Sequence, residues 1–473
     1  MPRKAHILAG IFGWLLMATA CHGFSLLGPP TTPATAWQVP AIGYQRPGDI
    51  GGPETPGEEY RWTLPMITYA FDDSFLSYFG QDGIAAVEEA LAVINNLGPV
   101  STFSPDLSEF PPDALRQNGT ASALGVIDLK TTTLSVVLEL LGLADAQRWV
   151  YSLRQRVTFG TAPNIVTNYL VIQRNYDPLT ILPSQAINGD LYVYRIFDPI
   201  APDNWADAIE FSPAFPDPTA QTTPVSSARL LPGVFATGLS RDDAGGLRYI
   251  YGATNRNVET LLGNITLASN GVVGNVVSPW IPYFGITNIF TNVFGTTNIV
   301  GTNGVFATAL RPGIETITFV RTDYDSFLGQ TFVPITNIFT DVYISNNAAI
   351  LQRVQRVTTQ PDLIFTAEDL GTVGAFPLLV RRGVNFINND ALNGQGTLAG
   401  PGVLTGPARI SFSRVLPALI NDSFLDFLTG PQGVSLTTGA WGSFGESPDS
   451  IIVYGTTIED LEQMATGGIF GPP

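Results

Sequence analysis

Helical periodicity ends in this chain near Ala253, and the text beyond it is written in Thr, Asn, Val, Ile and Phe punctuated by Gly and Pro. Apolar residues recurring at i, i+3 and i+7 mark an amphipathic helix, whereas β-branched and aromatic runs between turn residues mark strands. Both patterns occur before Ala253. Met66 to Phe71 reads as a strand. Ile84, Val87, Leu91 and Ile94 then share one helical face, with Asp82 as its cap and Gly98 as its stop. A second helical block is predicted over 131–154, broken near Gly142, with Asp145 capping its second part. Strands are predicted at Ile165–Gln173 and Asp190–Ile196. In "LSRDDAGGLRYIYG", Leu239–Gly252, Ser240 caps a short helix, Asp242 and Asp243 stand in its positive first turn, and Gly252 ends it.

After Ala253 the signals are strands, among them "ARISFSRVL", "GVSLTTGAW" and "SIIVYG". "ITNIFTNVF" at Ile286–Phe294 returns as "ITNIFTDVY" at Ile335–Tyr343. Two readings stand: a duplicated hairpin, or two similar strands drawn from one Thr/Asn-rich vocabulary. The expected fold class is therefore α+β, with an α+β domain over 63–253 followed by an all-β, sandwich-like region over 254–456, divisible into two subdomains. A tail over 457–473 holds a short helix and a frayed end. Residues 24–62 are rich in Pro and Gly and read as an extended arm anchored by Trp37, Tyr44 and Trp62.

The first residues carry an address. "MPRK" is a positive n-region, "ILAGIFGWLLM" an apolar core, and Ala18-Thr19-Ala20 an A-x-A cleavage site, so 1–23 is read as a signal peptide. The expectation is a secreted, periplasmic or cell-surface protein, with lipidation of Cys21 as the competing outcome. Cys21 is the only cysteine, and His6 and His22 are the only histidines. The chain beyond the signal thus lacks the side chains of Ser-His-Asp triads, Cys-His nucleophiles and His-ligated zinc. The formal net charge is −17, and Lys4 and Lys130 are the only lysines, which excludes a general electrostatic footprint for nucleic acid. The longest uncharged stretch, Thr260–Leu310, is broken throughout by Asn, Thr, Gly and Pro, so no transmembrane helix is predicted.

Four segments carry a resemblance. Met66–Asn95 resembles the opening strand and first helix of the matrixin-type metzincin proteases. Leu239–Gly252 is similar to their closing helix, and "ARLLPGVF" before it stands where the family has its Met-turn, with Leu230 or Leu231 in place of methionine. "LSVVLELLGLAD", Leu134–Asp145, has the rhythm of their zinc helix, H-E-x-x-H-x-x-G-x-x-H. The resemblance implies a metzincin-like α+β domain in which the ligand positions are Ser135, Glu139 and Asp145, the catalytic glutamate is Val136, and Gly142 keeps the bend. Val136 cannot take a proton, and loss of a general base costs ~10²–10⁴ in rate. Three oxygen ligands suit calcium or magnesium and hold zinc poorly. Leu134, Val137, Leu138 and Leu141 form one apolar stripe that Val136 and Leu140 extend nearly around the helix, which favours a buried core helix over a residual oxygen-ligand site. The chain as a whole also resembles large families of secreted proteins from environmental bacteria, which implies export and no particular activity.

Two further acidic groups are candidates, the first as paired carboxylates for acid/base work or calcium, the second for calcium. "RTDYDS" is read as placing Asp323 and Asp325 on one strand face, and "NNDALNGQG" around Asp390 has the composition of a calcium loop. Simpler readings are a strand face paired with Arg321 and an Asx-rich turn. The functional expectation is a non-catalytic exported structural, adhesive or binding protein that carries a protease-like domain without its zinc site. No cofactor is expected, calcium being the one candidate. The expected partners are further copies met through β edges, or extracellular and cell-surface polymers. The alternatives are a carboxylate-dependent glycoside hydrolase, which needs two acids ~5–10 Å apart, and a calcium-dependent adhesin.

Overall fold

The structure is a computed structural model that describes residues 23–28, 53–160, 164, 166–198, 206–213, 224–227, 231–268, 289–291, 297–300, 305–370, 372–373, 376–377, 379–383, 385–388, 401–414, 440–447 and 450–455. It mixes helix and strand and is strand-rich. The element that organises it is Met66–Phe71. This strand lies between Thr318–Arg321 and Leu363–Glu368, parallel to both, in a five-stranded sheet. Ala408–Ser413 continues the parallel run, and Val380–Arg382 closes it as an antiparallel edge. Alternate residues Ile67, Phe71, Leu363, Phe365, Ile410 and Phe412 are buried, as one face of a covered sheet requires. The sheet thus joins the two stretches that periodicity separated at Ala253.

The helix that covers it has its N-cap ten residues before the predicted one. It runs from Asp73 to Asn95, with Asp72 as N-cap accepting from the Ser74 amide, and Gly80 at φ +62° kinks it. Phe75 and Phe79 explain the longer helix. Both are buried and stack from Phe71 to Phe412, so the first turn is held by the core. Ile84, Val87, Leu91 and Ile94 are buried as the periodicity predicts.

Of the 131–154 block only the first part is helical, over Leu129–Leu140. Leu143–Ala144 instead pairs with Ser25–Leu26, and Ser152–Phe159 is a strand paired with Val166–Ile172. The N-terminal strand Phe24–Leu27 accounts for the change: it pairs with Leu143–Ala144, Pro53–Glu54 and Asn175–Tyr176, drawing the chain out of helix after Gly142. The predicted strand Asp190–Ile196 is two, Asp190–Leu191 and Val193–Phe197, in separate sheets. The helix Arg241–Tyr251 matches its prediction closely, with Ser240 and Asp243 forming a capping box. Trp62 is buried, while Trp37 and Tyr44 lie outside the described residues.

A seven-stranded antiparallel sheet holds most of the remaining strands after Ala253. Its longest pair, Ile335–Ser345 and Ala348–Thr358, turns through Asn346 and Asn347, both at positive φ, the backbone of a two-residue hairpin. Ile289–Thr291, from the first copy of the repeated phrase, pairs with Thr297–Val300 in the same sheet. Both copies therefore contribute a strand paired antiparallel with the next strand in the chain.

Candidate functional site

The helix Leu129–Leu140 holds Ser135, Val136 and Glu139 of the positions that the metzincin resemblance singles out, and Gly142 and Asp145 follow its end. Asp128 starts it: Oδ2 accepts from the Thr131 amide at 2.8 Å and the Thr131 hydroxyl at 2.6 Å. The Thr131 hydroxyl also accepts the Ala236 amide at 2.6 Å, tying the first turn to a neighbouring strand. The helix packs against Asp73–Asn95, and every residue from Thr131 to Leu140 is buried, as expected of an apolar stripe that runs nearly all round.

Ser135 and Glu139 are one helical turn apart on the same side, and Val136 is 2% exposed among core residues. Glu139 is engaged elsewhere. Its Oε2 lies 2.7 Å from Nε of Arg382, on the antiparallel edge strand Val380–Arg382, and both side chains are largely buried. A carboxylate on the helix and a guanidinium on the sheet edge thus close the space between the two elements. Gly142 has φ +102°, and a Cβ there would stand 2.2 Å from the Tyr60 carbonyl oxygen. Only glycine fits that approach. Asp145 lies beyond the bend and caps the following turn, its Oδ1 accepting the Arg148 amide at 2.9 Å. Ser135 and Glu139 therefore share a face, while Asp145 serves the turn after Gly142.

The carboxyl end of this helix is sealed by donors from three distant segments. Leu140 receives the Trp62 indole N–H at 2.7 Å, Leu141 the Tyr251 hydroxyl at 2.7 Å, and Gly142 the Leu27 amide at 2.8 Å. The helix of the zinc-site rhythm and the helix of the closing motif therefore touch, through Tyr251 and through Ile250, which packs on Gly142.

The other candidates fall elsewhere. Asp323 and Asp325 lie past the end of the strand Thr318–Arg321, in the turn that follows it, so they do not share a strand face. Asp325 Oδ1 accepts the Phe327 and Leu328 amides, each at 2.9 Å, the geometry of an Asx turn. Arg321 pairs with Glu88 at 2.9 Å and lies over the Phe71 ring. Asp390, Cys21 and Leu230 lie outside the described residues, whereas Leu231 accepts the Val234 amide. Among the described residues no group of three His, Cys, Asp or Glu is placed to hold a metal ion. No described helix is long and apolar enough to cross a membrane.

The sequence reading missed a set of buried ion pairs. Arg61 donates from Nε to Glu259 at 2.5 Å and from its Nη atoms to the carbonyls of Ile250, Asn255 and Arg311. Arg311 forks onto Asp341 at 2.9 and 3.0 Å, and Gln352 completes that carboxylate at 2.6 Å. Arg356 holds Asp362, which also accepts the Thr68 amide and hydroxyl, each at 2.9 Å. Their partners stand 198, 30 and 6 positions apart, and no periodic pattern marks them. Asp128 had a local signal, an Asx three residues before a threonine at a helix start. No protein-family model, curated protein or solved structure matches the chain.

Proposed function

We propose that this is a non-catalytic exported protein that works by binding, in which a metzincin-like helix has become a structural member. The observation that carries the reading is the Glu139–Arg382 pair: the carboxylate at a ligand position is held by an arginine in the core, next to a valine where the family has its base. An arginine at bonding distance from that oxygen opposes a cation there. Binding in place of catalysis is also supported by the turn after Asp325, where Phe327 is 95% exposed and Leu328, Phe332 and Val333 are exposed beside it, an apolar surface of the kind that meets partners. The partners we propose are extracellular or cell-surface polymers, or further copies of the chain.

The test uses the purified exported chain in three arms. The reading expects no hydrolysis of casein or a polysaccharide panel, no bound zinc by elemental analysis after dialysis against zinc, and no rise in melting temperature with millimolar calcium. Casein hydrolysis abolished by Glu139→Gln would overturn it. Polysaccharide hydrolysis lost in an Asp323→Asn or Asp325→Asn variant would favour the glycoside hydrolase, and a large calcium shift the calcium-dependent adhesin.

A further inference from the structure

Asp128 ends the strand Val126–Asp128, opens the buried helix, and pairs in parallel register with Gly442 of the C-terminal strand Ala440–Ser443. That strand continues to Ile452–Tyr454, so one carboxyl group stands where the helix, its lead-in strand and the last described strands meet. The group is 2% exposed. Its Oδ2 takes both Thr131 hydrogen bonds, while Oδ1 meets no donor at hydrogen-bonding distance among the described residues. The charged and titratable groups around it do not neutralise it. Lys130, on its own helix, is paired with Glu89 of the long helix at 3.1 Å. Tyr454 donates to the Asp82 carbonyl at 3.2 Å and lies 2.6 Å from the Ser443 hydroxyl. The packed segments Val225–Ser227 and Val234–Ala236 contain no titratable side chain.

We propose that this junction is a pH-sensitive clasp, tightened when Asp128 takes up a proton and loosened when it is ionised. Burial pushes the carboxyl up to about 6, outweighing the Thr131 bonds, Lys130 and the more distant Phe444 amide, all of which favour the anion. The folded junction therefore binds the proton more tightly than an opened one. Its extra stability is complete below the ordinary value of 3.8 and is lost as pH rises through 6.

The experiment is native-state hydrogen exchange on the full exported chain at about pH 5 and about pH 8, corrected for intrinsic exchange. Protection of amides in 126–133 and 440–443 is expected to fall about tenfold between the two, beyond any change in the sheet strand Leu363–Glu368. Asp128→Asn keeps an acceptor for Thr131 and is expected to abolish that local difference, while Tyr454→Phe retains it. Equal protection at both pH values in the wild type would overturn the clasp, as would a difference that survives in Asp128→Asn. Should that variant not fold, the wild-type comparison still decides, because the reference strand Leu363–Glu368 reports global changes.

Discussion

Tyr251 donates its hydroxyl proton to the carbonyl oxygen of Leu141 at 2.7 Å. This bond joins the end of the capped helix Arg241–Tyr251 to the end of the buried helix Leu129–Leu140, and the same oxygen of Tyr251 accepts the Trp62 amide at 3.4 Å. A helix that ends inside a core exposes carbonyls that water cannot reach. Removing the donor leaves Leu141 unsatisfied, so Tyr251→Phe is expected to cost about 1–3 kcal/mol, read as a lower urea midpoint with unchanged slope.

The Glu139–Arg382 pair is expected to behave as a buried bridge. Loss of one partner strands the other, and Glu139→Leu or Arg382→Met alone is expected to cost about 3 kcal/mol. The double replacement Glu139→Leu with Arg382→Met removes both charges and is expected to cost much less than the two single losses summed. A thermodynamic cycle on these variants measures the difference; additive losses would mean the pair is not coupled.

Gly142→Ala tests the bend. The substitution demands a left-handed backbone of an L-residue and presses a methyl group onto the Tyr60 carbonyl. It is expected to cost about 2 kcal/mol or more and to lower protection of the Leu27 amide, which bonds to the Gly142 carbonyl. Unchanged stability by chemical denaturation would show that the chain at Tyr60 can move aside.

Alkaline pH is expected to weaken the fold through its tyrosines. Burial is the main cause that pushes Tyr69, Tyr343 and Tyr454 up to about 12, with Glu88, Asp341 and Asp82 among the acids adding to it. Each folded phenol holds its proton more tightly than the unfolded one, so this stability is full below pH 10 and is lost as pH rises toward 12. Phenolate absorbance is expected to rise in two steps, exposed tyrosines first and these three later. A single step near pH 10 with the fold intact would contradict the burial.

What could be read in the chain was local. The capping box of Ser240 and Asp243 needs three residues of separation, and the strand Met66–Phe71 needs six residues of pattern. The buried face of the long helix and the engulfed character of Leu134–Leu141 followed from periodicity alone. The start of the long helix was missed because Phe75 and Phe79 are set by contacts with Phe365 and Phe412, far along the chain. The strand reading of Asp323 and Asp325 failed because Asp325 satisfies the Phe327 and Leu328 amides in a turn, a competition that favours Asx residues outside regular ladders.

The amino-acid sequence by itself determined which chemistries the chain after His22 lacks side chains for, because reactivity needs particular groups and its only histidines and cysteine are His6, His22 and Cys21. It also determined where helices and strands alternate, because those periods are written within a few residues. Tertiary structure alone decided that Glu139 meets Arg382, that Tyr251 caps Leu141, and that Met66–Phe71 pairs with strands from beyond Ala253. Those contacts close loops of widely different length, and nothing in a local pattern records which distant donor will arrive to satisfy a buried acceptor.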